Sequence, residues 1–349
     1  MKFIALDFIR LYLRLLYSAT LILMWSAGKC NGQGGVSRML RVYEDNDFIN
    51  IHFSGTDKAY THGLRLDFFA TRNKRNARSG RWWMIASGDS SIITSGWGLM
   101  QAMVTPAVLS NTGITPGDYR YACSITAHYS HHTAIPEKKV NLQADYVVGI
   151  MGPAALGRQT QAAIHHLIND EPPRGWNTQL KTSVLVNVNV MGERQVMNIG
   201  NIVECIAGGK LYLGTARTGL SGYGLLRIGR LGSYFSGYNS QYLSGAGPKC
   251  WQLYAVLRPS LDVTFRNALI QGGIIRPERD RVLKENGEWT EIDSVALNRF
   301  GAALDYGVVL ALERFCITFM QMNLYPMIQS QSRHEVGNIS VYIPMKAKH

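Results

Sequence analysis

The densest group of oxygen donors in the chain is the run Glu44-Asp45-Asn46-Asp47, three carboxylates and an amide on consecutive positions. Hard cations such as Ca²⁺ take ligands from carboxylates, amides and backbone carbonyls, so the run is a candidate cation site. Strands are depleted in Asp and Asn, and a loop or barrel-rim turn is the plainer reading. An EF-hand spacing is missing, so a site here would draw ligands from separate segments. A second stretch, Asp57-Lys58-Ala59-Tyr60-Thr61-His62-Gly63, taken alone reads as turn residues and a strand threonine. A third, Gly152–Ile168, is Ala-rich with Pro153 suited to a first helical turn, and Pro172-Pro173 would stop it. On that helix Arg158, Gln161 and His165 form one polar stripe.

Other constellations are weaker. His128, His131 and His132 lie close enough to suggest Zn²⁺ or Cu²⁺, but no nearby carboxylate or thiol completes a set, and a rim loop with exposed histidines is the simpler account. Gly88-Asp89-Ser90-Ser91 resembles the nucleophile block of GDS-type lipases, yet Gln331 stands three positions before His334 where that chemistry needs Asp. GxSxG, Walker A and dinucleotide fingerprints are absent. Ile270–Arg281, with Arg276, Arg279 and Arg281, reads as a solvated loop, or alternatively as a contact for lipid phosphates.

The elements that must carry these residues are short and alternating. Leu64, Leu66 and Phe68 share one face opposite Arg65 and Asp67; Val184 to Val190 alternate with Leu185, Asn187, Asn189 and Met191; Leu261, Val263 and Phe265 alternate with Asp262, Thr264 and Arg266; Ile339, Val341 and Ile343 alternate with Ser340, Tyr342 and Pro344. Period two with one apolar face predicts strands. With 46% hydrophobic and 17% charged residues, 35 glycines and 35 aromatics, the 349-residue chain is too apolar for disorder, and no run of about 20 apolar residues follows the first 30 positions. A polytopic helical membrane protein is therefore excluded. The remaining length suits about 12 strands of a transmembrane β-barrel. A soluble β-sandwich shows the same alternation but would be large for one domain. Against the barrel, the chain ends not on an aromatic residue but past Tyr342 on a basic tail.

Lys2, Arg10 and Arg14 precede LLYSATLILMWSA and then Gly28, which predicts a signal peptide over residues 1–28 and a mature domain over 29–349. Lys29 before Cys30 speaks against a lipoprotein. Export permits disulfides among Cys123, Cys205, Cys250 and Cys316, but their wide spacing favours small hydrophobes on strand faces. Removing the leader lowers the formal charge from +12 to +10. An exported basic protein has an anionic lipid, rather than nucleic acid, as its natural partner.

Six short pieces occur in a fixed order: Asn46-Asp47-Phe48; Asp57 with Tyr60-Thr61-x-Gly63; Gln101 with Thr105-Pro106; Gly149-x-x-Gly152-Pro153; Gln161-x-x-x-His165; and Gly175-Trp176-x-x-Gln179. In this the chain resembles the LpxR-type lipid A 3′-O-deacylases of the outer membrane, with motifs over residues 41–180 and more loosely through Gly200-Asn201 onward. The resemblance implies a twelve-stranded barrel and a Ca²⁺-dependent esterase that removes the 3′-linked acyloxyacyl group of lipid A, with its site on the barrel wall beside a short helix. His165 would be the general base, and Asn46, Asp47 and Thr61 would fall at the other catalytic or cation-binding positions.

The chemistry of these residues agrees. An imidazole titrating near neutrality can take a proton from water, and Ca²⁺ held partly by Asp47 can stabilise the oxyanion. Asn46 would donate to that oxyanion or orient water, Thr61 would align either partner, and Gln161 would fix the imidazole tautomer. Two departures stand out. Relatives carry an Asp-Arg-x-Tyr-Ala-type stretch where this chain has Asp118-Tyr119-Arg120-Tyr121-Ala122, which on a strand moves the arginine to the other face. Ser183 stands where an acidic residue is common. Arg120 or Lys138 would have to replace a substrate-gripping lysine. These departures favour the alternative of a catalytically inactive barrel with a binding or structural role.

Overall fold

A computed structural model describes residues 38–51, 59–73, 91–167, 173–243, 251–274, 280–283, 289–292 and 296–345. The signal segment, Cys30, Cys250, Gly88–Ser90, Arg276 and Arg279 lie outside the described residues. The strands are β1 (Arg38–Asn46), β2 (Ala59–Asn73), β3 (Ile92–Thr105), β4 (Ala122–Ile135), β5 (Val140–Met151), β6 (Ser183–Ile199), β7 (Val203–Gly214), β8 (Arg217–Arg230), β9 (Gln252–Asn267), β10 (Asp280–Leu283), β11 (Trp289–Ile292), β12 (Phe300–Ala311), β13 (Cys316–Leu324) and β14 (His334–Pro344). Short helices are α1 (Gly157–Leu167), α2 (Tyr238–Tyr242) and α3 (Ala268–Gln271). Twelve strands close an antiparallel barrel in chain order from β1 to β9 and on through β12 to β14, which pairs back with β1. Strands β10 and β11 form a separate hairpin.

The alternation seen in the sequence sorts residues to the two sides of this wall. Leu66, Trp97, Val184, Leu261, Phe265 and Phe300 are exposed on the outside, where a bilayer would cover them. Arg41, Arg65, Asp145, Lys210, Tyr223 and Arg258 line a cavity of 530 Å³ within. An apolar cluster of Val104, Tyr119, Ala122, Leu180, Ala268 and Ile328 closes the lumen at one end. At the other, Met39, Phe69, Leu231, Leu243, Tyr254 and Tyr342 pack together, and the Tyr242 ring of α2 stacks on Tyr342 at 3.9 Å. The connections at the first end, including residues 106–121, 152–182 and 268–299, are mostly long; those at the second include the tight turns 136–139, 200–202 and 312–315, the longer connection 231–251, the start of β1 and the end of β14. We call them the loop end and the turn end.

Several expectations are corrected. Glu44, Asp45 and Asn46 are not loop: they finish β1, because Glu44 and Asp45 find buried partners there. The histidine run is not a rim loop but the middle of β4; His128 and His132 are buried and face inward, and His128 Nδ1 lies 3.1 Å from Asp145, a carboxylate that only the strand pairing brings near. Part of Ile270–Arg281 is ordered as α3 and β10, with Ala268 and Ile270 in the core. Cys123, Cys205 and Cys316 are free thiols on strands, as expected.

Inside the wall Asp67 receives Arg41 at 2.6 Å and Arg65 at 2.8 Å. Asp67→Ala would leave two largely buried guanidiniums sharing no carboxylate, at a cost of about 3–5 kcal/mol. The urea midpoint of the detergent-folded barrel, read by heat-modifiable gel migration, should fall accordingly; an unchanged midpoint would show the pair to be dispensable.

Candidate active site

Directly opposed residues of neighbouring strands share a face. One rung at the loop end runs Gly337–Asn46–His62–Met103–Cys123 across β14, β1, β2, β3 and β4. It lies on the face of Leu64 and Leu66, hence on the outer wall. Asn46 ends β1 and caps a single 3-10 turn, Asp47–Ile49, its Oδ1 accepting from Phe48 N at 2.9 Å. Asp47 opens that turn and is 1% exposed. The turn folds across β14 so closely that a Cβ on Gly337 would stand 2.5 Å from Ile49 O. Ile51 N then donates to Gln321 Oε1 at 3.0 Å. Thr61 sits at a bulge between Tyr60 and His62 and is buried. Bulges re-aim side chains and recur beside active sites.

Two strands further on, the outer wall is covered. Gly152 N donates to Cys123 O, Gln101 Nε2 donates to Ala155 O at 2.8 Å, and a 3-10 turn over Pro153–Ala155 leads into α1. Gly157 seats the helix: a Cβ there would lie 2.4 Å from the Trp176 ring and 2.5 Å from Cys123 Cβ. Met103, Tyr121, Cys123, Ala155 and Trp176 form the apolar contact beneath. The buried stripe of α1 is Gly157, Gln161 and His165, at i, i+4 and i+8; Arg158 is exposed and reaches Asn177. The stripe expected from the sequence therefore holds for Gln161 and His165 only. Gln161 Oε1 accepts from Trp176 Nε1 at 2.8 Å, so this glutamine ties the helix to the Gly175–Thr178 turn.

Asn46 thus ends β1 opposite His62, Thr61 precedes His62 at the bulge, Asp47 follows in the adjoining turn, and His165 is buried on a helix that packs over Cys123 of the same outer face at the same end. The sequence reading missed the partner of His62: Nδ1 lies 3.0 Å from Glu44 Oε1, both residues being buried on the outer face. Period-two alternation places Glu44 with Asn46, but only the register sets His62 opposite them. Arg120 lies before β4 begins, so its displacement does not reverse a strand face; its guanidinium donates to Thr178 O at 2.6 Å. Lys138 lies in the 136–139 turn at the opposite end of the barrel and does not belong to this site.

A closed twelve-stranded barrel with an apolar outside and a polar cluster on its outer wall defines a β-barrel protein of the outer membrane. The profile of the family described as Outer membrane protein LpxR matches residues 15–345. The chain belongs to that family, which makes it a lipid A 3′-O-deacylase, a hydrolase resident in the outer membrane. Among solved structures, LpxR from Salmonella typhimurium aligns with a TM-score of 0.67 at 13% identity, over 88% of this chain and 100% of that one. The β domain of the Bordetella autotransporter BrkA aligns at a TM-score of 0.43 and 9% identity, over 88% and 99% of the two chains. No curated protein matches.

If the seating of α1 places His165, Gly157→Ala should misplace it. Lipid A deacylation should fall about tenfold or more, since small displacements of catalytic groups are costly. The heat-modifiable band should persist, and undiminished deacylation would refute the role of this contact.

Proposed function

We propose that this protein removes the 3′-linked acyloxyacyl group of lipid A by Ca²⁺-assisted hydrolysis with His165 as general base. The observation that supports the reading is that α1, which carries the buried His165, packs over the outer wall at the loop end where Asn46 ends β1 and Asp47 opens the next turn. In outer-membrane barrels the longer loops are extracellular. The cluster then meets lipid in the outer leaflet, from the side, without substrate entering the closed lumen.

The donors near Asp47 suit Ca²⁺. They are hard oxygens: the Asp47 carboxylate and the carbonyls of a tight turn. Among the described residues no three His, Cys, Asp or Glu side chains converge as a metal set. Asp47 would be the main charged ligand, with carbonyl, water and substrate oxygens completing the shell. When bound, Ca²⁺ supplies positive charge where the ester carbonyl oxygen becomes an oxyanion. His165 takes a proton from water as the water oxygen attacks the carbonyl carbon. The tetrahedral adduct collapses with cleavage of the bond to the sugar 3′-oxygen, which recovers the proton from His165. Asn46 donates to the oxyanion, and Thr61 aligns the water.

Mass spectrometry of lipid A from cells with and without the protein tests this. Loss of one acyloxyacyl unit is expected with the wild type. His165→Ala should lower the rate by about 10³-fold or more, in line with removal of a general base. Chelation by EGTA should abolish turnover and added Ca²⁺ should restore it; Asp47→Asn should raise the Ca²⁺ concentration required. Unaltered lipid A beside a folded wild-type barrel would instead support the inactive-barrel reading, and full activity in EGTA would remove Ca²⁺ from the scheme.

A further inference from the structure

Polar side chains on the outer wall of a membrane barrel are expensive and call for an account of each. At the loop end two such sets hold overlying backbone: Gln101 donates to Ala155 O, and Gln321 accepts from Ile51 N while donating to Glu335. Glu44 and His62 differ. The carboxylate stands 3.0 Å from Nδ1, an ion-pair contact outside hydrogen-bond geometry, and neither Nδ1 nor Nε2, both sealed in the protein, has a hydrogen-bond partner among the described residues. The residue before it has the complementary defect: Thr61 Oγ1 is buried and likewise unpartnered. One is an acceptor nitrogen once Nδ1–H faces Glu44; the other carries a hydroxyl proton. The bulge removes Thr61 from the β2–β3 ladder, Tyr60 opposing Val104 and His62 opposing Met103. It therefore has no directly opposed residue on β3.

We propose that Glu44 and His62 are positioning residues of this site: Glu44 orients the imidazole, and Nε2 receives the Thr61 hydroxyl when substrate engages. The inference rests on the hydrolytic reading above. With its proton directed to His62, Thr61 Oγ1 can only accept. It then holds the proton of the attacking water that His165 does not take. The water is thereby fixed by two acceptors, one of which removes its proton. No covalent bond of Thr61 changes. The role belongs to the transition state more than to substrate binding, so it should appear in kcat.

The test is a double-mutant cycle on lipid A in detergent micelles, with heat-modifiable migration confirming each barrel. Thr61→Val and His62→Phe should each lower kcat about 30-fold with KM within about threefold. The double variant should be no slower than the slower single, because residues acting as one unit are non-additive. His62→Gln, which keeps an acceptor, should recover kcat to within about fivefold of wild type. Wild-type kcat in His62→Phe, or multiplied losses of about 10³-fold in the double variant, would overturn the proposal. A wild type that leaves lipid A intact in the same assay would instead strike the hydrolytic reading itself, so the two failures are told apart.

Discussion

A barrel strand has two faces, and here one of them belongs to hydrocarbon. A polar group on that face is tolerated only when something within the protein covers and satisfies it. This constraint organises the whole loop end. The Asp47–Ile49 turn folds over β14 at Gly337, and the 152–167 segment folds over β3 and β4 at Cys123. Between these coverings lie Glu44, Asn46 and His62. The overlying segments let these polar groups stay on the lipid-facing wall, where the proposed chemistry needs them.

The lumen obeys the opposite rule. Its charges meet one another: Arg41 and Arg65 at Asp67, Arg258 at Asp305, Arg227 at Glu204. Apolar clusters close both ends. These pairs knit neighbouring strands together along the inner wall. The interior is scaffold, and the working surface is outside.

Much of this was legible in the sequence. Alternation at Leu64–Phe68 and Leu261–Phe265 identified strands and assigned the correct residues to each face, because a period of two survives any tertiary context in a closed wall. The strand number followed from length. The helix near Gly152–Ile168 was visible in its alanines and flanking prolines, and the ordered motifs named the family. What failed depended on partners distant in the chain. Glu44 and Asp45 looked unsuited to a strand until His62, Asn338 and Tyr60 were seen to satisfy them. His128 looked unsupported because Asp145 becomes its neighbour only through the β4–β5 register. Gln161 was assigned to its histidine neighbour, and the sequence did not suggest that its Oε1 also accepts from a tryptophan fifteen residues later. In each case composition described the residue, and register decided its company.

The first and last strands of the barrel meet beside Asn46, and Gly337 of β14 provides the gap into which the Asp47 turn settles. The seam of the barrel therefore runs through the proposed site. Until β1 and β14 pair, the shelf beneath that turn does not exist. Under the proposed function, catalytic competence therefore arises only once β1 and β14 have paired.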